Sequence, residues 1–330
     1  MLDALKAAVL SLITLIAVGV SVATTGPVAA SDTCQTRVYV TNYNGNNVSV
    51  IASPAHVPVA APIGVGVRPN DIAIAPAGTR AYVTNSSTNN VSIIDTTTNT
   101  VTGTIPVGSA PVGIAITPDG TRAYVTNSNA NNISVIDTTT NTVVGTTNVG
   151  TNPIDVAVSP DGTRAYVANS VSNNVTVINT ATSTVIGTIP VGTSPAAVAF
   201  PSATRAYIAN YISNTVSIIN TATNAVIGTI PVGSSPEGIA VTPDGVTAYV
   251  ANYSANTLSV IDVATTTVTG SVAVGTSPLN LAVLPCEVPT PTTTTTPTTT
   301  VPSTTTPTTD DPTTTSTAVP DPVVIPAFTD

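Results

Sequence analysis

Short apolar runs alternate with polar turn residues along the middle of the chain. One stretch shows the pattern clearly: "GIAITPDG" (113–120), "TRAYVTN" (121–127), "NISVIDTTTN" (132–141) and "TVVGTTNVG" (142–150). Each run is rich in β-branched residues and is bounded by Gly, Pro, Asn or Asp, which is typical of strands joined by tight turns. The pattern therefore predicts four short strands in this stretch, forming one small antiparallel sheet.

The same pattern recurs along the chain with a period of about 42 residues. A tyrosine within "YVTN", "YVAN", "YIAN" or a close variant marks each copy: Tyr39, Tyr82, Tyr124, Tyr166, Tyr207 and Tyr249. A lone four-stranded sheet cannot bury both of its faces, so consecutive sheets must stack on one another. Repeats of this length made only of strands favour a β-propeller. A β-solenoid is the alternative, but its coils are usually shorter.

Turn residues support the predicted junctions. Pro-Asp-Gly at residues 118–120, 160–162 and 243–245 predicts a tight hairpin between the first and second strands. Paired asparagines such as Asn131-Asn132 suit left-handed turn positions between the second and third strands. Because such residues recur from blade to blade, we interpret them as structural. The recurring arginines are interpreted in the same way, and Arg68 alone is irregular: Arg37, Arg80, Arg122, Arg164 and Arg205.

The two cysteines predict how the ring closes. Cys34 and Cys286 are 252 residues apart, which is six periods of 42, so they occupy the same position of the repeat. We expect a last strand, Leu279 to Leu284, to join the strands supplied by residues 36–67, with a Cys34–Cys286 disulfide in place of the missing turn. Two unpaired cysteines are the alternative. The predicted fold is an all-β, six-bladed propeller of four-stranded antiparallel blades, closed by a composite blade from both chain ends.

The repeated phrases carry a family resemblance. Six copies of "YVTN"-like segments, followed by "NNVSVID"-like and "VGTIPVG"-like segments, resemble the YVTN-family β-propeller repeats of secreted and surface-layer proteins across residues 36–286. The resemblance implies that the strands of each blade run from the inside outwards in chain order. It also implies a closure shared between the two chain ends. Related propellers include lactonase-like enzymes as well as binding and structural proteins, so the resemblance does not decide the function.

The two ends of the chain predict export and a stalk. Residues 1–30 have Lys6 before an apolar run and "VAA" before Ser31, which is typical of a signal peptide, with an uncleaved membrane anchor as the alternative. The propeller is expected at residues 31–287. Residues 288–330 are rich in Thr and Pro and predict a disordered stalk. We therefore expect a secreted protein without a stable membrane span in its mature form, and association with the cell wall is a further expectation.

Charge narrows the range of partners. A formal net charge of −9 disfavours nucleic acid, whose binding depends on basic residues. The partner expected for a protein of the cell envelope is a wall polysaccharide or a surface protein, bound by a monomer.

The six copies of the repeat differ from one another in two sets of loop residues. The implied topology places both sets around one mouth of the central channel. The residue after each "TN" or "AN" is tyrosine in three consecutive blades and serine in the others: Tyr43, Tyr211 and Tyr253, against Ser86, Ser128 and Ser170. Asp71, Glu237 and Asn280 flank the tyrosines. Aromatic faces beside carboxylate and amide groups suit a sugar or a peptide, so we predict a ligand-binding surface here. The alternative is that the tyrosines only cover blade edges.

A metal site and catalysis are weaker hypotheses. Asp71 and Asp155 could share a Ca²⁺ ion, although two blades separate them, and no other cofactor is expected. The only histidine is His56, in a loop of the composite blade, and the sequence has no serine–histidine–acid set. We therefore predict a non-catalytic binding or structural module. The alternative is a lactonase-like, metal-dependent hydrolase using Asp71, Asp155, Glu237 and Asn280.

Overall fold

The computed structural model describes residues 36–53, 57–59 and 61–281. These residues form a six-bladed β-propeller of four-stranded antiparallel sheets. Blade 1 consists of β1 (Thr36–Asn42), β2 (Asn47–Ser53), β3 (Val57–Pro58) and β4 (Ile63–Gly64), and blade 2 consists of β5 (Pro69–Ile74), β6 (Arg80–Asn85), β7 (Asn90–Asp95) and β8 (Thr100–Pro106). Blade 3 consists of β9 (Pro111–Ile116), β10 (Arg122–Asn127), β11 (Asn132–Asp137) and β12 (Thr142–Asn148), and blade 4 consists of β13 (Pro153–Val158), β14 (Arg164–Asn169), β15 (Asn174–Asn179) and β16 (Thr184–Pro190). Blade 5 consists of β17 (Pro195–Ser202), β18 (Arg205–Asn210), β19 (Thr215–Asn220) and β20 (Ala225–Pro231), and blade 6 consists of β21 (Pro236–Val241), β22 (Thr247–Asn252), β23 (Thr257–Asp262) and β24 (Thr267–Ala273). No helix in the described part of the chain is long and apolar enough to cross a membrane.

Strand order within the blades follows chain order, as predicted. In blades 2 to 6 each strand pairs with the next one along the chain, and the first strands β5, β9, β13, β17 and β21 contact one another around the centre. Blade 1 is different because β3 and β4 both pair with β2 and together form its outer strand. β1 contacts β5 as β6 contacts β9, so β1 occupies the second position of its blade.

The returning chain lies where the inner strand of blade 1 is expected. The carbonyl oxygen of Leu279 lies close to Gly238 in the inner strand of blade 6. The same contact joins two consecutive inner strands elsewhere, where the carbonyl oxygen of Ile154 in blade 4 lies close to Gly113 in blade 3. Residues 279–281 are not assigned to a strand, and residues 282–284 of the predicted strand lie outside the described residues. Cys34 and Cys286 also lie outside them, so the disulfide remains a prediction, as do the signal peptide and the stalk.

The hydrophobic core is divided into clusters that lie between neighbouring blades. In one cluster Tyr82 and Ile93 of blade 2 pack against Ala123 and Ile136 of blade 3, and similar clusters join the following blades. Tyr82 is fully buried. Each blade therefore covers a face of the next, as the stacking argument requires.

Polar contacts on both faces of the ring repeat with the blades. On the top face, which carries the turns between second and third strands, a left-handed asparagine accepts a hydrogen bond from the backbone N–H that leads into the next blade. We call this contact the asparagine latch; its six pairs, with lengths of 2.7 to 3.0 Å, are Asn46–Arg68, Asn89–Ala110, Asn131–Asn152, Asn173–Ser194, Asn214–Ser235 and Asn256–Ser277. The sixth pair includes Ser277, so the segment returning to blade 1 is held in the same way as the others.

A second set of contacts lies on the bottom face, which carries the other hairpin turns. The arginine that begins the second strand donates to a backbone carbonyl in the following blade, for example Arg80 to Thr138 at 3.1 Å. We call this contact the arginine latch; its five pairs are Arg37–Thr96, Arg80–Thr138, Arg122–Thr180, Arg164–Thr221 and Arg205–Val263. The geometry supports the interpretation of these recurring arginines as structural.

The turn chemistry expected from the sequence is present. Gly120, Gly162 and Gly245 of the Pro-Asp-Gly turns have φ between 70° and 72°. The first asparagine of the pair in the following turn, such as Asn131 at φ 54°, is left-handed. Glycine and asparagine tolerate this region of backbone space better than other residues, which explains why the sequence repeats them there.

The asparagine latch can be separated from backbone strain at Asn131. We expect Asn131→Ala to lower the free energy of unfolding by about 2 kcal/mol. Alanine lacks the side-chain oxygen that accepts the hydrogen bond, and its Cβ makes the positive φ unfavourable. Asn131→Gly should recover part of this loss because glycine accepts the backbone angle. Asn131→Asp should recover most of it. Urea unfolding measures the series, and a glycine variant as stable as the parent would show that the latch contributes nothing.

Candidate functional site

The top face is built by two kinds of segment that hydrogen-bond to each other. In blades 2 to 6 the N–H after the second strand donates to the carbonyl before the first strand, as in Ser86 to Arg68 at 2.9 Å and Tyr211 to Ser194 at 2.8 Å. This pairing places the predicted tyrosines and the starts of the inner strands on one side of the ring, around the channel mouth.

The tyrosines after the second strands lie in consecutive blades of the closed ring, 5, 6 and 1. Tyr211 and Tyr253 are in contact, with ring centroids 6.4 Å apart and planes at 50°. Tyr43 lies beside Arg68, whose guanidinium carbon is 5.6 Å from the centroid of the tyrosine ring. All three side chains are partly exposed. We call Tyr43, Tyr211 and Tyr253 the aromatic arc.

Two exposed aliphatic side chains extend this surface and were missed by the sequence analysis. Val171 and Ile212, in the top turns of blades 4 and 5, are 61% and 62% exposed. The equivalent residues elsewhere are polar: Asn44, Ser87, Asn129 and Ser254. Comparing this position across the repeats, as was done for the tyrosines, would have revealed them.

Asp71 and Asp155 begin the inner strands of blades 2 and 4 and each joins two blades. Asp71 accepts from the N–H of Ile72 at 2.8 Å and from that of Ile114, in the next blade, at 2.9 Å. Asp155 accepts from Val156 at 2.8 Å and from Val198 at 2.7 Å. The blades that follow blades 2 and 4 have no polar side chain at this position, because Gly113 and Ala197 occupy it. Each carboxylate therefore supplies an acceptor to two blades.

Burial changes the protonation of these two carboxyl groups. Removal from water raises the pKa of Asp71 to about 6, although two backbone N–H groups oppose the change. The pKa of Asp155 rises to about 7, first through burial and second through the negative charge of Asp71. The charge of Asp71 in blade 2 thus acts on the carboxyl group of Asp155 in blade 4.

The geometry limits what the pair could hold. In the part of the chain that the structure describes, no group of three or more His, Cys, Asp or Glu side chains is arranged to hold a metal ion. Ca²⁺ takes about six to eight oxygen ligands, and two carboxylates already engaged with backbone N–H groups supply only a fraction of them. Carbonyl or water oxygens would have to complete the shell. A Ca²⁺ ion at Asp71 and Asp155 remains a prediction.

The other two predicted residues occupy different environments. Asn280 is exposed, and its Oδ1 accepts from the N–H of Leu281 at 2.9 Å, as the aspartates accept from their own following residue. A Cβ at Gly238 would lie 3.2 Å from that Oδ1, so Asn280 adjoins blade 6. Glu237 is partly buried, beside the start of the same inner strand.

The raised pKa values predict how stability depends on pH. Between the ordinary pKa of 3.8 and about 7 the folded protein binds protons that the unfolded chain has released, so stability should fall as pH rises through this window. Between pH 5 and pH 8 we expect the free energy of unfolding of Asp155→Ala to fall by roughly 2 kcal/mol less than that of the parent protein. This difference in slope does not depend on how stable the variant is at any one pH. Thermal unfolding across that range measures the slope.

Asp161 provides the matched control for this slope. Its side chain is largely solvent-accessible, and hydrogen bonds from Ser159 and Thr163 lower its pKa, so it stays ionised throughout the window. Asp161→Ala should leave the slope between pH 5 and pH 8 unchanged. Equal slopes in the parent and in Asp155→Ala would contradict the assignment.

Comparison with known proteins supports a β-propeller. The model described as "Lactonase, 7-bladed beta-propeller" matches residues 20–189, and the model described as "YNCE-like beta-propeller" matches residues 196–287. The YVTN resemblance remains an inference from the repeats. No match is found among curated proteins.

Solved structures share the fold at low sequence identity. Hydrazine synthase from Kuenenia stuttgartiensis is 22% identical with a TM-score of 0.68, covering 74% of this chain and 85% of that one. A functionally unknown protein from Desulfotomaculum acetoxidans DSM 771 is 20% identical with a TM-score of 0.64, covering 77% and 87%. At this identity the likeness concerns the fold alone. Because the lactonase-type model spans residues 20–189, just over half of the 330 residues, the chain belongs to the family described as "Lactonase, 7-bladed beta-propeller", of which it is a six-bladed member.

Proposed function

We propose that this propeller is an exported, non-catalytic binding module of the cell envelope, and that its top face holds a wall polysaccharide. The observation that supports this is the asymmetry of the top face. Tyrosines replace serines in three consecutive blades, and two of the rings meet at 6.4 Å. A repeat protein that needed only its fold would gain nothing from such a departure on one side of the ring.

The chemistry of the arc suits a sugar polymer. Tilted, partly exposed tyrosine rings offer apolar faces for the C–H surfaces of sugar rings, and their hydroxyl groups can hydrogen-bond. Glu237 and Asn280 add acceptors and donors near the same side of the channel. Export is supported by the features of residues 1–30, and the Thr/Pro-rich residues 288–330 are typical of a spacer at a cell surface.

The aromatic arc is tested by binding of the mature chain, from Ser31 to the C-terminus, to purified wall polysaccharide. We expect the double variant Tyr211→Ala, Tyr253→Ala to weaken binding about tenfold or more, because it removes both stacking faces. The double variant Tyr211→Phe, Tyr253→Phe should retain most of the affinity. Unchanged binding by the alanine variant would discard the arc.

Val171 and Ile212 separate a sugar ligand from a protein ligand. Exposed aliphatic residues beside tyrosines are also found at protein interfaces. If the ligand is a polysaccharide, Val171→Ser with Ile212→Ser should leave binding unchanged. The alternative outcome is that the mature chain captures a surface protein, and that this capture is lost in the Tyr211→Ala, Tyr253→Ala variant and in the Val171→Ser, Ile212→Ser variant. This result would show that the partner is a protein and that the polysaccharide proposal is wrong.

A lactonase-like hydrolase is the second candidate function, favoured by the family match and by Asp155. A carboxyl group with a pKa of about 7 is suited to donate or accept a proton near neutral pH. Its engagement with Val156 and Val198 points instead to a structural role, which is why this function is placed second.

The enzyme hypothesis has a direct test. Hydrolysis of a test lactone by the parent protein with added Ca²⁺ should be abolished by Asp155→Asn and retained by Asp161→Asn, whose carboxylate belongs to a bottom-face turn. Absence of any turnover by the parent protein would end this hypothesis and leave the binding proposal untouched.

A further inference from the structure

Arg68 differs from the arginines that recur once per blade. Those five residues lie on the bottom face, where each donates to a carbonyl oxygen of the following blade. Arg68 lies on the top face, immediately before β5, and is exposed. It therefore makes no contribution to the arginine latch.

The backbone of Arg68 is fixed in an unusual conformation. Its φ is 58°, a region that side chains larger than asparagine rarely occupy. Its N–H donates to Asn46 Oδ1 at 3.0 Å, and its carbonyl accepts from the N–H and hydroxyl of Ser86 at 2.9 and 3.0 Å. The equivalent positions of the other repeats have small side chains: Ala110, Asn152, Ser194, Ser235 and Ser277. The arginine side chain is not required for this turn, since five copies form it without one.

The guanidinium lies over the ring of Tyr43, in the neighbouring blade. Its central carbon lies 5.6 Å from the centroid of the Tyr43 ring, a distance at which cation and ring attract each other. The carboxyl group of Asp71, three residues further along, has a raised pKa caused by burial and opposed only by backbone N–H groups. A guanidinium paired with that carboxylate would lower its pKa. Arg68 is thus held beside Tyr43 and not beside Asp71.

We propose that Arg68, stacked on Tyr43, is an anion-recognition site that makes the aromatic arc selective for acidic polysaccharides, a proposal that rests on the binding function given above. A planar guanidinium donates two parallel hydrogen bonds to a carboxylate or phosphate group. Stacking on Tyr43 restricts its motion before a ligand arrives, which reduces the entropy lost on binding. Tyr43 and, in the adjacent blade, Tyr253 would then hold the neighbouring sugar units.

Net charge makes this proposal specific. The chain has a formal charge of −9, so its long-range field repels an acidic polymer. The acidic residues of the hairpin turns, such as Asp95, Asp137 and Asp262, lie on the bottom face, away from Arg68. A preference for an acidic polymer over its neutral counterpart must therefore come from a local contact, and Arg68 is the cation placed to make it.

The experiment compares polymers that share a backbone and differ in charge. Binding of the mature chain to polygalacturonate is measured against fully methyl-esterified polygalacturonate, with inorganic polyphosphate as a third probe. We expect the protein to bind one of the anionic probes more tightly than the ester, and Arg68→Ser to weaken that binding about tenfold while leaving binding of the ester unchanged. Whether polygalacturonate or polyphosphate binds more tightly distinguishes a carboxylate ligand from a phosphate ligand.

Variants keep the outcome interpretable. Serine is the residue of three other repeats at this position, so Arg68→Ser should fold normally, and Arg68→Lys, which keeps the charge without the planar donor pair, should recover only part of the affinity. Arg80→Gln removes the same charge from the bottom face and should have no effect on binding. An effect of Arg80→Gln equal to that of Arg68→Ser would attribute the loss to net charge and overturn the proposal.

The proposal and the binding function fail in different ways. Equal affinity for polygalacturonate and its ester, with both lost in the Tyr211→Ala, Tyr253→Ala variant, would overturn anion selectivity and retain the aromatic arc. Binding of the anionic probes that persists in Arg68→Ser would also overturn the role of Arg68 and retain the aromatic arc. Binding to none of the polymers would overturn both.

Discussion

Every feature of this protein depends on one constraint, which is that a four-stranded sheet of short apolar strands exposes two faces that must both be covered. Neighbouring blades cover them, and the hydrophobic clusters accordingly lie between blades. A row of six blades would still expose the outer faces of its first and last members. Ring closure removes both exposed faces at once. It also requires the end of the chain to supply the inner position of blade 1, which explains why residues 277–281 return there with the same asparagine latch as the other blades.

The repeat made most of the fold predictable from the sequence. The tyrosine period, the β-branched runs and the Pro-Asp-Gly turns were sufficient for six four-stranded blades in chain order. The contacts between blades were not predictable, since Arg80 could as well bond within its own blade as to Thr138, 58 residues away. In a repeated sequence every copy offers the same partners, so only the three-dimensional structure shows which copy is used. The double role of Asp71 in blades 2 and 3 was missed for the same reason.

Those residues of the candidate site that differ from the other copies of the repeat could be predicted from the sequence. Tyr211 and Tyr253 were expected in adjacent blades, and their rings meet. The association of Tyr43 with Arg68 was not expected, because the sequence showed Arg68 only as an arginine outside the repeated positions. At φ 58° the side chain of Arg68 leaves in a direction that sequence spacing does not reveal. Left-handed residues redirect side chains, and proximity in sequence then becomes a poor guide to contact.

The departures from the repeat are concentrated near the joint of the ring, on both faces. On the bottom face, β22 has Thr247 at the position where the other second strands have arginine. The blade that follows it has an irregular outer strand in two pieces. Tyr207, one blade earlier, has a buried hydroxyl without a hydrogen-bond partner in the described part of the chain. Thr266 stands where Tyr39, Tyr82 and Tyr166 find an asparagine acceptor. The aromatic arc on the top face spans the same blades. The asparagine latch of that face is nevertheless complete in all six blades. The tyrosines therefore replace serines at a turn position that the repeated contacts between blades do not use, so the joint gains new side chains without loss of those contacts.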